Sequence, residues 1–226
     1  MFMRPRTRPP IPGRLIMVGG QCRKVGKSSL IVDLIRTFPE QNWAAVKITP
    51  YTEQGCPVNG PDCGCDPYDH TAAIHEENAA GDATDTARFL AAGARRAFWV
   101  QTKEGQIADA LSPLASALSG EESVIIESDA LVLYWRADLF FSVLDPRRLD
   151  FKPSARDSLQ FADAFVFRSP CFGDLHRWSA RIPDSGRPRF LQPLGYALPA
   201  GLQNLVRQRF CKSRHHTPEQ KGPLFS

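Results

Sequence analysis

Apolar and polar positions along the chain fall into two alternating rhythms. Leu15–Val18 is a short apolar run of the kind that forms a buried strand, and it enters a Gly-rich turn. Beyond the turn, Leu30, Ile31, Leu34, Ile35 and Phe38 recur at helical spacing and define one apolar helix face. Pro39 stops that pattern, and Trp43–Ile48 predicts a second buried strand that Pro50 closes. From Thr71 the chain turns Ala-rich and reads as helical as far as Gly81. It resumes at Thr84 or Asp85, either of which suits an N-cap, and runs to Ala92. Arg96–Val100 reads as a strand and Ile107–Leu118 as a helix in which Pro113 marks a kink or a late start. Val124–Ile126 is an apolar run that ends in Glu127. Leu139–Leu144 and Phe165–Phe167 are further strands, with a short helix over Ser154–Phe161 between them. Pro and Arg then dominate until a last helix at Leu202–Phe210. Strands alternating with helices predict an α/β fold, a mainly parallel sheet with helices on both faces. In such sheets ligands gather at the carboxyl ends of the strands, so one rim collects the turn after Val18, the loop after Ile48 and the residues after Ile126.

That turn has chemistry of its own. Strand, glycine turn, Gly26-Lys27-Ser28-Ser29 and helix follow one another in the order of a phosphate-binding P-loop. Backbone N–H groups of the turn and the helix N-terminus would face an anion, with Lys27 reaching the β/γ-phosphates and Ser28 ligating Mg²⁺. The nucleotide-binding set is thus Gly20, Arg23, Lys24, Val25, Gly26, Lys27, Ser28 and Ser29. The spacing departs from the standard motif. Gln21 stands where the first glycine belongs, and Gly20, one residue earlier, leaves five residues before Gly26. Glu127 ends its strand at a Walker-B-like position, suited to holding Mg²⁺ or orienting a water, and Asp129 could substitute for it. Asp82 and Asp85 flank the start of a helix, where they would cap it or approach the metal. Arg23 and Lys24 read as charges for phosphate or as an exposed turn, and Lys47 and Thr49 end the second strand on the same rim. The base-reading (N/T)KxD motif is absent. Arg168-Ser169-Pro170 occupies its expected place, leaving ATP against GTP open.

Hydrophobic residues make up 42% of the chain and charged ones 23%, which is enough apolar material for a real core. No apolar run approaches the length of a membrane span, and the basic first residues have no apolar signal region, so a cytoplasmic protein is expected. The net charge of +4 sits in the ends. Residues 1–14 carry four Arg, and residues 207–226 five Lys/Arg against Glu219, leaving a body with 19 basic and 23 acidic side chains. Nucleic acid is not an expected partner for such a body. The organisation read from this is a basic tail over 1–14, a nucleotide-binding domain over 15–210 and a second basic tail over 211–226, both tails disordered.

Cysteine usage changes the picture once more. Residues 50–70 are too rich in Gly, Pro, Asp and Asn for a regular element, and they carry Cys56, Cys63, Cys65 and His70, with Asp66, Asp69 and His75 nearby. Three thiols and an imidazole in one irregular loop suit Zn²⁺ or another thiol-bound transition metal. A thiol-ligated cluster, a redox pair or plain reduced thiols are the other readings, since the spacing is not a CxxC pair.

Four segments, in order, resemble the molybdopterin-guanine dinucleotide biosynthesis protein B family: VGGQCRKVGKSSLIVDLI, AVKITPY, GDATDTARFLAAGARRAFWV and VIIES. The resemblance covers about residues 15–130. It implies a dimeric P-loop protein of the class that includes nickel-insertion GTPases, using Mg²⁺ with ATP or GTP and serving a metalloenzyme or cofactor-biosynthesis partner. By this resemblance Lys27 and Ser28 take the phosphate and Mg²⁺ positions, Asp85 the Asp of an Asp-Ser pair and Glu127 the strand-terminal acid. Lys27, Glu127 and Asp85 are accordingly the candidate catalytic residues. The chain departs at the extra P-loop residue, at Lys47 followed by Ile-Thr-Pro, and at Ser128 after the Glu. The expected function is slow NTP hydrolysis coupled to metal or metal-cofactor handling. The alternatives are a small-molecule kinase with Asp69, Asp82 or Asp85 as base, and a nucleotide-gated binding module without turnover.

Overall fold

The computed structural model describes residues 6–51, 71–169, 182 and 186–210. Eight strands form one sheet: β1 (Arg14–Gly20), β2 (Ala44–Tyr51), β3 (Ala72–Glu76), β4 (Arg96–Lys103), β5 (Ser123–Glu127), β6 (Leu139–Leu144), β7 (Ala164–Phe167) and β8 (Arg189–Leu191). Their order is β3-β4-β2-β5-β1-β6-β7-β8, with every neighbouring pair parallel except β3 with β4. The helices are α1 (Lys27–Thr37), α2 (Asp85–Ala91), α3 (Leu111–Ala117), α4 (Pro153–Leu159) and α5 (Ala200–Arg209).

Period-two alternation sorts the strand residues into two cores. Leu15 and Met17 of β1, Val124 and Ile126 of β5 and Phe165 and Phe167 of β7 join Leu114 of α3 and Leu159 of α4. Ile16 and Val18, Ile125, and Ala164 and Val166 pack on the other side with α1, Phe89 of α2, and Leu202 and Val206 of α5. Four of the five apolar residues that mark the face, Leu30, Ile31, Leu34 and Ile35, lie within α1 and are fully buried. Each contributes about 1.5–3 kcal/mol by leaving water. Trp43 stacks on Phe210 at 5.1 Å and donates its indole N–H to the Phe38 carbonyl, tying the ends of α1 and α5 together.

Three expectations need correction. The Ala-rich stretch after Thr71 is not helical at its start: residues 72–76 form β3, antiparallel on the edge of β4. Ala has the highest helix propensity, but propensity is a weak prior, and pairing on an open sheet edge outweighs it. Pro50 does not close β2, which continues to Tyr51. Beyond Lys47 β2 pairs only with β4, so its other side lacks a ladder for proline to break. The short, charged β8 pairs with β7 where no strand was expected. Pro113 lies in the first turn of α3, after a 3-10 turn over Ile107–Ala110, so of the two readings the late start holds. Thr84 is the N-cap of α2, accepting from Ala87 N at 3.0 Å, and Asp85 is its first helical residue.

Candidate functional site

β1 delivers the chain into the glycine turn with its last residues paired to β6, Gly20 against Val143. Gly20 is where the turn folds back on itself. A Cβ there would lie 2.8 Å from Val25 Cγ1 and 2.9 Å from the Val143 carbonyl, so Gly20 meets the close-packing demand that the motif assigns to its first glycine. Gly26 has φ 96°, in the left-handed region, and ends the turn immediately before α1.

Gln21, the residue that breaks the standard spacing, is fully buried and has a structural task. Its amide nitrogen donates to the Arg148 and Asp150 carbonyls, each at 3.0 Å, and its amide oxygen accepts from Asp145 N at 3.0 Å. The main chain adds Lys152 N to Gln21 O at 3.0 Å. Gln21 therefore anchors the 145–152 segment that follows β6 against the turn. Arg148 reaches back from that segment to the Arg23 carbonyl.

Lys27 opens α1 and is buried, its ammonium donating to the Cys22 carbonyl at 3.0 Å. Burial lowers its pKa, against the pull of Asp129 and Glu127. Ser28 Oγ donates to Glu127 Oε2 at 2.6 Å. Lys47, from the neighbouring strand β2, donates to Glu127 Oε1, lies 3.0 Å from Asp85 Oδ2 and 3.4 Å from Ser28 Oγ. Four residues that the sequence singled out separately thus form one cluster, held by β2, β5, α1 and α2. Burial works against the Lys47 ammonium, but the Glu127 and Asp85 carboxylates outweigh it and raise its pKa. Burial likewise opposes the Asp85 charge, and Lys47, Ser28 and Arg88 together keep its pKa low. Two carboxylates and a hydroxyl are hard oxygen donors, a set that suits Mg²⁺. Asp129 lies beside this cluster. It accepts from Gly20 N and faces Lys152 Nζ at 3.6 Å, so it secures the turn.

The remaining candidates are dispersed. Val25 is buried under the turn and Ser29 is half-buried on α1, while Arg23 and Lys24 are exposed, Lys24 with φ 58°. Asp82 is exposed ahead of α2 and joins no described ion pair. Thr49 accepts from the Trp99 indole at 3.1 Å. Cys56, Cys63, Cys65, His70, Asp66 and Asp69 lie outside the described residues. Among the described residues no group of three or more His, Cys, Asp or Glu side chains is arranged to hold a metal.

Sequence reasoning passed over Arg168. It leaves the end of β7 and is buried under the turn, donating to the Gly26 carbonyl at 2.7 Å and to the Gln192 side-chain oxygen at 2.7 Å. Gln192 in turn donates to Asp33 of α1 at 2.7 Å. Burial pushes the Arg168 pKa down to about 10, with Asp33 pulling the other way, and its Nε has no hydrogen-bond partner among the described residues. A Cβ on Gly26 would come within 2.8 Å of that Nε. Its only sequence signal was its position, where the base-reading motif would start.

No protein-family model matches the chain, and no curated protein matches it. Among solved structures it is similar to HypB from Helicobacter pylori in complex with nickel. That likeness has 14% identity over 91% of this chain and 92% of the other, with a TM-score of 0.52. A zinc-bound triple mutant of the GTPase YjiA shows 12% identity over 85% of this chain and 61% of that one, at a TM-score of 0.42, too loose to bear on the argument. The likeness to HypB shows a shared fold, a mainly parallel sheet flanked by helices.

Proposed function

We propose that the chain binds Mg·ATP or Mg·GTP at this rim, hydrolyses it slowly and couples that cycle to handling a metal ion or a metal-bearing cofactor. The observation that carries the nucleotide half is the cluster of Ser28, Glu127, Lys47 and Asp85 at the N-terminus of α1, directly beside the glycine turn. In this reading the turn amides and Lys27 hold phosphate. Ser28 and Glu127 hold Mg²⁺, which when bound neutralises phosphate charge. Asp85 draws Lys47 toward the metal ligands and sets their spacing. Lys47 pairs with both carboxylates, so a metal ion at Glu127 competes with Lys47 for its oxygens.

Support for the metal half comes from two sources. HypB, which shares the fold, was solved with nickel. The segment with Cys56, Cys63, Cys65 and His70 joins the carboxyl end of β2 to β3, and the flanking Tyr51 and Ala72 pair with Lys103 and Thr102 at the end of β4. Both ends of that segment therefore attach to the rim that carries the cluster. We assign these four residues to one Zn²⁺ or similar ion. The narrower link to molybdenum-cofactor work, the homodimer and the metalloenzyme partner rest on the segment resemblance alone.

Calorimetric titration with ATP and with GTP, on protein of measured metal content, tests the nucleotide reading. Wild type should bind at least one of the two in the presence of Mg²⁺, and Lys27→Ala should bind neither. Equal affinity of the variant and the wild type would overturn it.

A further inference from the structure

The opposite end of the sheet, where strands begin, holds a second concave site. A cavity of about 520 Å³ opens where β1, β6 and β7 begin, and Arg6, Arg8, Arg136 and Arg209 converge on it with Asp138 and Asp163. β1 runs the length of the sheet between this cavity and the glycine turn, which separates the two by roughly 20 Å.

Both carboxylates are already engaged. Asp138 accepts from Leu15 N at 2.8 Å. Asp163 accepts from Phe140 N at 2.9 Å and pairs with Arg209 at 2.9 Å. They serve the strand starts, and among the described residues Arg209 is the one of the four guanidinium groups with an ion-pair partner. Arg8 and Arg136 are exposed and in no ion pair among the described residues. Arg6 lies 4.1 Å over the Phe161 ring and makes one long bond to the Trp135 carbonyl, at 3.4 Å. Among the described residues its buried Nε has no hydrogen-bond partner. Burial, then the neighbouring Arg136 charge, lowers the Arg6 pKa, and Asp163 only partly offsets them. Arginine does not shed its proton, so the crowding is a standing cost that a bound anion would remove.

We propose that this cleft binds a small phosphorylated metabolite carrying at least two negative charges, independently of the nucleotide rim. Four guanidinium groups against two engaged carboxylates leave a local excess of two positive charges. Planar guanidinium forks match phosphate oxygens in pairs, which a diffuse basic surface does not. The volume falls in the range of small-molecule sites and exceeds what a lone phosphate fills. Phe161 is the aromatic ring at the site, and Arg6 covers it. Recognition is therefore of phosphate rather than of a stacked base.

Calorimetry with inorganic pyrophosphate on full-length Lys27→Ala protein isolates this site from the glycine turn. Saturable binding is expected there, weakened at least about tenfold when Arg8→Ser and Arg136→Ser are added. Both side chains are exposed, and thermal melting checks that the added changes leave the fold intact. On wild-type protein, pyrophosphate should also protect Arg8 and Arg136 from phenylglyoxal, read by mass spectrometry. Absence of binding and protection, or undiminished binding by the combined variant, would overturn the proposal. So would citrate binding as tightly as pyrophosphate, or a short single-stranded oligonucleotide binding more tightly.

Discussion

Gln21 shows how one residue can look like a fault in a motif and prove to be a fastening. Its buried amide satisfies three backbone groups of the 145–152 segment, which a glycine at that position would leave without partners. Gln21→Ala should therefore lower stability by about 2–4 kcal/mol, measured by urea unfolding. A change within a few tenths of a kcal/mol would mean that the segment is held elsewhere. Lys47 makes a second residue-scale prediction. It is the counter-charge for Glu127, whose side chain is only 5% exposed, and for Asp85. Removing one member of such a cluster leaves an uncompensated charge, so Lys47→Met should cost about 2–4 kcal/mol at neutral pH. The same change vacates the oxygen donors for a divalent ion. Added Mg²⁺ should then raise the melting temperature of Lys47→Met more than that of wild type, and an equal response would exclude Lys47 as a competitor for that site. Neither role was visible in the sequence, because Gln21 depends on β6 lying beside β1 and Lys47 on β2 lying beside β5.

At the scale of elements, legibility followed hydrophobic contrast. β1, the glycine turn and α1 were readable because an apolar run, a turn and a helical stripe follow one another without a break. β5, β6 and β7 were readable as apolar runs buried on both faces. β3 and β8 were not, since they lie at the two edges of the sheet, where burial is partial and pairing comes from the neighbouring strand. The candidate site was half legible. Ser28, Lys27, Glu127 and Asp85 announced themselves by type and position, but the meeting of Ser28, Glu127 and Asp85 through Lys47 is a product of strand order. That meeting ties α2 to β2, and it has a pH signature. Asp85 has a depressed pKa in the folded chain, so it binds its proton more readily when unfolded. Its contribution is complete above the unfolded value of about 3.9 and disappears as pH falls through the lower folded value. In urea unfolding at a series of pH values, wild type should exceed Asp85→Asn at pH 6, and the gap should shrink below about pH 4. A gap constant down to pH 2 would assign the difference to packing instead.

The whole molecule divides its chemistry between the two ends of one sheet. Helix N-termini and the carboxyl ends of strands meet at the rim with Lys27 and Glu127, the setting that parallel α/β sheets favour for anions. The arginine cleft lies at the other end, where strands begin. The Cys56–His70 segment leaves β2 and re-enters at β3, so it attaches to the rim through a different part of the sheet from the glycine turn. β5 stands between β2 and β1 in that order, which puts the two attachment points about 10 Å apart. Metal and nucleotide should therefore be separable in occupancy even if they act together. Protein purified without a histidine tag should carry about one equivalent of a transition metal, as four protein ligands hold one tetrahedral ion. Lys27→Ala should keep that metal while losing nucleotide. Combined Cys56→Ser, Cys63→Ser and Cys65→Ser should lose the metal while keeping nucleotide affinity within about twofold, as expected for sites without shared ligands. Elemental analysis and nucleotide titration on the same preparations check both halves. Less than about a tenth of an equivalent of any transition metal in wild type would remove the metal from the four-ligand site. Loss of nucleotide binding in the cysteine variant would show that the two sites share one structural unit.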